Sequence, residues 1–131
     1  GSTATISDQQ LTALQVGEAM EEDGANDDYA YSRVEEDAAM LFSETMMKYL
    51  FNIDRDIGFT DLPTEADPYC DDFKVAWGVR GRIGDYRVKD RAQFVAESVY
   101  PDTSFSLFFQ NLPIPKVMRP GDGWCENLAL F

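Results

Sequence analysis

Histidine is absent from this 131-residue sequence, and cysteine occurs only twice. Without imidazole there is no Ser–His or Cys–His nucleophile pair, no histidine base near neutral pH, and none of the usual nitrogen ligands for transition metals. Any catalysis would have to run on carboxylates, Lys, Tyr, Cys or a bound metal. Cys70 and Cys125 carry no Cys-x-x-Cys spacing, and two thiolates fill only half of a tetrahedral zinc shell. Each is expected as a buried free thiol of a cytoplasmic protein, a disulfide between them being the alternative. Long apolar runs are missing too. None approaches the roughly eighteen residues of a membrane span, and no basic segment ahead of an apolar one opens the chain. A cytoplasmic protein with no membrane partner is expected, with Gly1-Ser2 reading as a cloning scar.

Positive charge is the other scarcity: 11 Lys and Arg face 24 Asp and Glu, for a formal net charge of −13. The excess is uneven, −9 over residues 1–37, −6 over 38–72 and +2 over 73–131. A field of this size repels nucleic acid and anionic membrane and draws basic partners, although a well-solvated surface is the plainer meaning of such runs.

What is present is the composition of a folded chain, 44% hydrophobic and 13% aromatic. One domain is expected over 1–131, helical and acidic over 3–57 and β-rich over 73–131. "ISDQQLTALQVGEAMEED" opens with Ser7 and Gln10 in capping-box spacing, carries Leu11 and Leu14 on one side, and stops at Gly24. The acidic loop around Gly24 lacks the ligand positions of an EF-hand. A longer helix is expected from about Asp28 to Asp54, with Tyr31, Val34, Ala38, Leu41, Phe42, Thr45, Tyr49 and Ile53 as its buried stripe. Met40, Met47 and Phe51 lie roughly opposite, among Glu36, Glu44 and Asp54, so this helix has a second apolar face for its own domain or for another chain.

"NIDRDIGFTDLPTEADPYCDD" reads as a connection broken by Gly58, Pro63 and Pro68. Beyond it the period becomes two. Phe73, Val75, Trp77 and Val79 alternate with Lys74, Ala76, Gly78 and Arg80, and Tyr86 and Val88 with Asp85, Arg87 and Lys89. A hairpin turning at Gly81–Gly84 would send Trp77 and Tyr86 inward and the cations outward. "DRAQFVAESVY" reads as a short helix or a strand. Phe105, Leu107 and Phe109 alternate as a further strand, and a Pro-Gly turn precedes a last one. The fold class is therefore α+β: two N-terminal helices, the second one long, packed on an antiparallel sheet of about four strands.

No motif carries a named chemistry. "GRIG" lacks the Lys-Ser/Thr of a phosphate loop, the acids of the 65–72 loop and the Asp122/Glu126 pair have no fixed separation, and Cys125 has no adjacent base. No catalytic residue, metal or cofactor is expected. By elimination the chain reads as a non-enzymatic protein that binds another protein with a basic surface, an inhibitor, adaptor or immunity type from bacteria or their phages. One version mimics nucleic acid on a basic groove of its target. Its contact residues would be Glu21, Glu22, Asp23, Asp27, Asp28, Glu35 and Glu36, with Met40, Met47 and Phe51 as an apolar anchor. Two alternatives come from other classes. Lys74, Arg80, Arg82, Arg87, Lys89 and Arg91 on the hairpin could track a nucleic acid or phosphoanion. The Met40/Met47/Phe51 face could instead build a homodimer or larger self-assembly.

Overall fold

A computed structural model of the protein describes residues 11–131, so the Ser7–Gln10 capping pattern lies outside the described residues. The first described helix, α1 (Ala13–Glu22), is capped by Thr12, whose hydroxyl accepts the Gln15 N–H while the Gln15 side chain takes the Thr12 N–H. It ends where expected. Gly24 adopts φ +67°, its N–H donates to the Glu21 carbonyl and that of Ala25 to the Met20 carbonyl. This left-handed termination closes the last turn and needs a residue without Cβ.

The long helix is shorter than its apolar pattern. Asp27 accepts the Tyr29 N–H through its side chain at 2.9 Å and sets a separate 3-10 turn, Asp28–Tyr31. The helix proper, α2, runs Val34–Phe51, with Glu35, Glu36 and Asp37 in its first turn and Lys48 in its last, each favourable to the helix dipole. Asn52 ends it at φ 55°, leaving Asp54 outside. Leu41 and Thr45 are fully buried on its inner face, whereas Val34 is 83% exposed and Tyr49 and Ile53 also reach solvent. The expected stripe holds only in the middle, where α3 (Lys89–Val99) covers it.

The sheet has three antiparallel strands in the order β1 (Asp56–Thr60), β2 (Val75–Arg80), β3 (Lys116–Val117), with Ile57 opposite Val79, Phe59 opposite Trp77 and Val79 opposite Val117. β2 is the strand expected from alternation, and Trp77 and Val79 face inward on it. β1 comes from the stretch read as a connection. The segments read as third and fourth strands are helices instead, α4 (Ser106–Asn111) and α5 (Trp124–Leu128). Phe105 and Phe109 are four apart, so a helix buries both as well as a strand would; Leu107 between them is 72% exposed, which only the helix explains. At α5 the buried Asn127 side chain accepts the Arg119 N–H and donates to the Arg119 and Gly123 carbonyls, coiling the chain end.

The fold is α+β. Two apolar clusters divide it. Met20, Ala25, Trp77 and Val79 join α1 to the sheet, and Leu41, Ile83, Val88, Ala92, Ala96, Phe105 and Phe109 join α2, α3 and α4. Gly17 lets α1 rest directly on Trp77, since a Cβ there would overlap the indole. Cys70 and Cys125 are bonded, their Cα atoms 5.6 Å apart, which overturns the expectation of free thiols. The bond fastens the 3-10 turn Cys70–Asp72 to α5, helped by the Glu126 N–H donating to Asp71.

Two stability predictions follow from these contacts. Cys70→Ser with Cys125→Ser is expected to lower the urea-unfolding free energy by about 2–4 kcal/mol, and reductant should do the same to the parent protein alone. Gly17→Ala, by forcing Trp77 to move, is expected to cost about 1–3 kcal/mol in the same assay.

Candidate functional site

The basic ribbon does not form. β2 ends at Arg80, a 3-10 turn covers Arg82–Gly84, and α3 starts at Lys89. The break has a local cause in Asp85: its side chain accepts the Arg87 N–H at 2.8 Å, and its carbonyl accepts the N–H groups of Val88 and Lys89, which begins the helix. Val88 is buried as expected. Tyr86, expected inward, is 78% exposed beneath the Arg87 guanidinium.

Each arginine of the stretch meets an acid within the fold. Arg80 holds Asp56 of β1 through two hydrogen bonds of 2.7 Å. Arg91 donates to Asp37 of α2 and to the Gly24 carbonyl. Arg87 donates to Asp85 and to Glu21, whose other oxygen accepts the Trp77 indole N–H at 3.1 Å. Arg82 is the innermost, its side chain 1% exposed. It donates to Asp85 at 2.8 Å, to the Ala25 carbonyl at 3.0 Å, and at 3.4 Å to the Met20 and Glu21 carbonyls at the negative end of α1. Lys89 reaches the Leu112 carbonyl at 3.5 Å, and Lys74 is exposed beside α5. Of the cations gathered in sequence, Arg80, Arg87 and Arg91 thus face acids of the first half of the chain, and Arg82 faces Asp85 and the end of α1.

A second network sits between α1 and α2. Asp27 is fully buried, so it does not belong to any accessible acidic surface; it accepts from Arg55 at 2.6 Å. Arg55 also pairs with Glu44 of α2, which is 7% exposed. Burial pushes the Glu44 carboxyl up from its ordinary value; Arg55 and the nearby Asn26 amide pull the other way, and Asp27 adds to the rise. Glu44 Oε2 and both side-chain atoms of the buried Asn26 have no hydrogen-bond partner among the described residues. For Asp85, burial disfavours ionisation, but the Arg87 N–H, the Arg87 side chain and the Arg82 charge outweigh it and hold the carboxyl below its ordinary range.

Glu22, Asp23, Asp28, Glu35 and Glu36 are exposed on the end of α1, the following turn and the start of α2. Asp23 accepts the Tyr31 hydroxyl at 2.6 Å and Glu36 that of Ser32. Glu21 is tied to Arg87 and Trp77. Glu36, Met40, Met47 and Phe51 share one face of α2 at 100° per residue, with Phe51 65% exposed and Met40 half-buried. Acid and apolar ends of that face lie about 22 Å apart at 1.5 Å per residue. Beside it Met40, Met47 and Ile53, with Glu44, Asp54 and Arg55, line an open cleft of about 270 Å³.

Arg55 and Asn26 escaped the sequence reading; a buried Asn leaves no periodic signal, and Arg55 stood among the acids of an apparent loop. Cys70, Asp71 and Cys125 form the one tight group of metal-ligand type among the described residues, but both sulfurs are in the disulfide. No described helix is long and apolar enough to cross a membrane. Scans against protein-family models, curated proteins and solved structures each find no match to this chain.

Removing Arg82 leaves a void in the interior, takes the donor from the Ala25 carbonyl and leaves Asp85 to Arg87 alone, so Arg82→Ala is expected to cost about 3–5 kcal/mol in denaturant unfolding. The two carboxyls respond oppositely to pH. The depressed Asp85 contributes stability that is present above its ordinary 3.8 and lost as pH falls through its folded value. The raised Glu44 contributes below its ordinary 4.5 and loses that contribution as pH rises through its folded value. Unfolding free energy measured against pH should therefore lose part of its acid-side fall in Asp85→Asn and part of its opposing slope in Glu44→Gln.

Proposed function

We propose that the protein is a non-enzymatic binding protein that acts through its acidic N-terminal face on a basic surface of another protein, in the manner of an inhibitor, adaptor or immunity protein. The observation that carries this reading is how charge is divided between inside and outside. Arg55, Arg87 and Arg91 hold acids between elements and Arg82 holds Asp85 in the interior, while Glu22, Asp28, Glu35 and Glu36 are exposed without an ion-pair partner among the described residues. Arg33 is the one cation among residues 11–47. A surface left so one-sided steers toward positive charge at long range, and a basic nucleic-acid groove is one target whose natural ligand it would displace. Tyr29 and Val34, both exposed within this acidic stretch, supply apolar contact. The disulfide favours an oxidising setting over the cytoplasm expected from the sequence. A second reading, self-association, draws on Met47, Leu50, Phe51 and Ile53, which are exposed together at the end of α2.

The test is capture of partners on immobilised protein from nuclease-treated extract, with the parent compared to a variant carrying Glu22→Lys, Asp28→Lys, Glu35→Lys and Glu36→Lys. A discrete protein held by the parent and released by the variant is the expected result, with retention falling as salt rises. Equal retention by both proteins would sink the acidic-face reading. Nucleic acid bound by the untreated parent would move the function to the Lys74–Arg91 stretch, and a concentration-dependent solution mass without capture would favour self-association.

A further inference from the structure

The two edges of the sheet are unlike. β3 is two residues long, contains Lys116 and follows Pro113 and Pro115, the short, charged, proline-flanked form that keeps an edge from pairing with another strand. β1 has five residues, Asp-Ile-Gly-Phe-Thr, with no Lys or Pro, and its single charge is held by Arg80. Its hydrogen-bonding phase is fixed at both ends, where the Gly81 N–H donates to the Arg55 carbonyl and the Asp61 N–H to the Lys74 carbonyl. Ile57 and Phe59 therefore turn their main-chain groups to β2, and those of Asp56, Gly58 and Thr60 point away from it. No described residue bonds to these outward groups.

An open groove of about 390 Å³ lies beside this edge, lined by Gly58, Thr60, Cys70, Phe73 and Trp124. A Cβ on Gly58 would come within 2.8 Å of the Trp124 ring, so an aromatic side chain of α5 stands where the middle of β1 has none of its own. The segment that joins β1 to Cys70 is acidic. It has no cation between Asp61 and Asp72, and Asp61, Glu65 and Asp67 are exposed without an ion-pair partner among the described residues.

We infer that β1 takes an extended, basic segment of the partner protein as an added antiparallel strand, with one apolar side chain of that segment opposite Gly58 in the groove and Lys or Arg at its flanks against Asp61, Glu65 and Asp67. The inference rests on the proposed reading for the basic character of the partner, and it adds main-chain pairing as the means by which that partner is held. The residue opposite Gly58 exchanges both N–H to carbonyl bonds with it, and its side chain stands on the same face as the groove. Across from a glycine, a large apolar residue covers the bare backbone as well as the Phe73 and Trp124 walls. Charge brings the segment in, and the outward N–H and carbonyl groups fix its direction and register.

The probe is the capped heptapeptide Lys-Val-Thr-Phe-Thr-Val-Lys, added to the intact, disulfide-bonded protein while amide hydrogen exchange is followed by NMR. In the free protein the Asp56, Gly58 and Thr60 amides should exchange fast and those of Ile57 and Phe59 slowly. The peptide should slow the fast set saturably. N-methylation of the central phenylalanine removes its bond to Gly58 and should weaken binding about tenfold, whereas N-methylation of the following threonine, on the outer side, should leave affinity within about twofold. Glu65→Lys with Asp67→Lys should weaken the unmodified peptide severalfold and flatten its dependence on salt. The protein carrying Glu22→Lys, Asp28→Lys, Glu35→Lys and Glu36→Lys should bind it as the parent does.

Equal loss from the two N-methylated peptides would overturn the assignment, as would exchange at Asp56, Gly58 and Thr60 that no peptide concentration slows. Slow exchange at these amides before any peptide is added would also overturn it, since the edge would then belong to the chain itself or, where protection rises with protein concentration, to a second copy. Each of these results leaves the acidic-face reading to its own test, partner release by the charge-reversed variant.

Discussion

One buried guanidinium determines how the parts of this molecule meet. Arg82 is nearly sealed from solvent, and taking such a charge out of water costs several kcal/mol unless its donors are met. They are met by four groups from three places in the chain: the Asp85 carboxylate and the carbonyls of Ala25, Met20 and Glu21. The last two belong to α1, Ala25 to the chain leaving it, and Asp85 to the turn that opens α3. The sheet cluster under α1 and the helical cluster of α2, α3 and α4 therefore share one ionic joint. Apolar area would pack these clusters together in several ways, whereas the directions of five N–H donors permit few. Arg87 and Arg91 extend the joint outward, to Glu21 on α1 and Asp37 on α2.

The same joint explains why an acidic chain concentrates its cations. Folding places the basic segment 80–91 against acids of the first half, so attraction between the two halves is used internally and the remainder of the negative charge faces outward. The inner pairs are shielded from added salt and the outer acids are not. Fold and binding are thus expected to respond to ionic strength on different scales, which separates the two roles of a single residue type. Asp27 and Asp28, neighbours in sequence, illustrate the division: one is sealed beneath Arg55 and the other lies in solvent.

Much of the helical half was legible because its signals are local. Gly24 announces the end of α1, and Leu41 and Thr45 mark the inner face of α2. Trp77 and Val79 alternate cleanly on β2. The failures arise where short-range chemistry overrides periodicity. The side chains of Asp27 and Asp85 each accept the N–H two residues on, cutting the long helix in the first case and replacing a second strand by a helix in the second. Phe105 and Phe109 satisfy both a period of two and a spacing of four, and only their tertiary partners decide between them. Asn127 and the cysteine pair act across distances that composition does not reveal. Of the contact residues, the exposed acids could be listed from sequence, but not the burial of Asp27, the Glu44–Arg55 pair or the cleft beside it.

The bond between Cys70 and Cys125 has a topological effect distinct from its effect on stability. It converts most of the second half of the chain, including β2, α3, α4 and β3, into a covalent ring, with β1 and the two large N-terminal helices attached as a tail. The connection after α3, where Pro101 to Ser104 lie exposed, belongs to that ring. A single cut there leaves both pieces joined and the Arg82 joint undisturbed, so the molecule can lose chain continuity without losing its parts. A cut in the tail, by contrast, releases whatever precedes it unless packing holds on. In covalent terms the β2 side of the molecule is protected, and the acidic face is its detachable end.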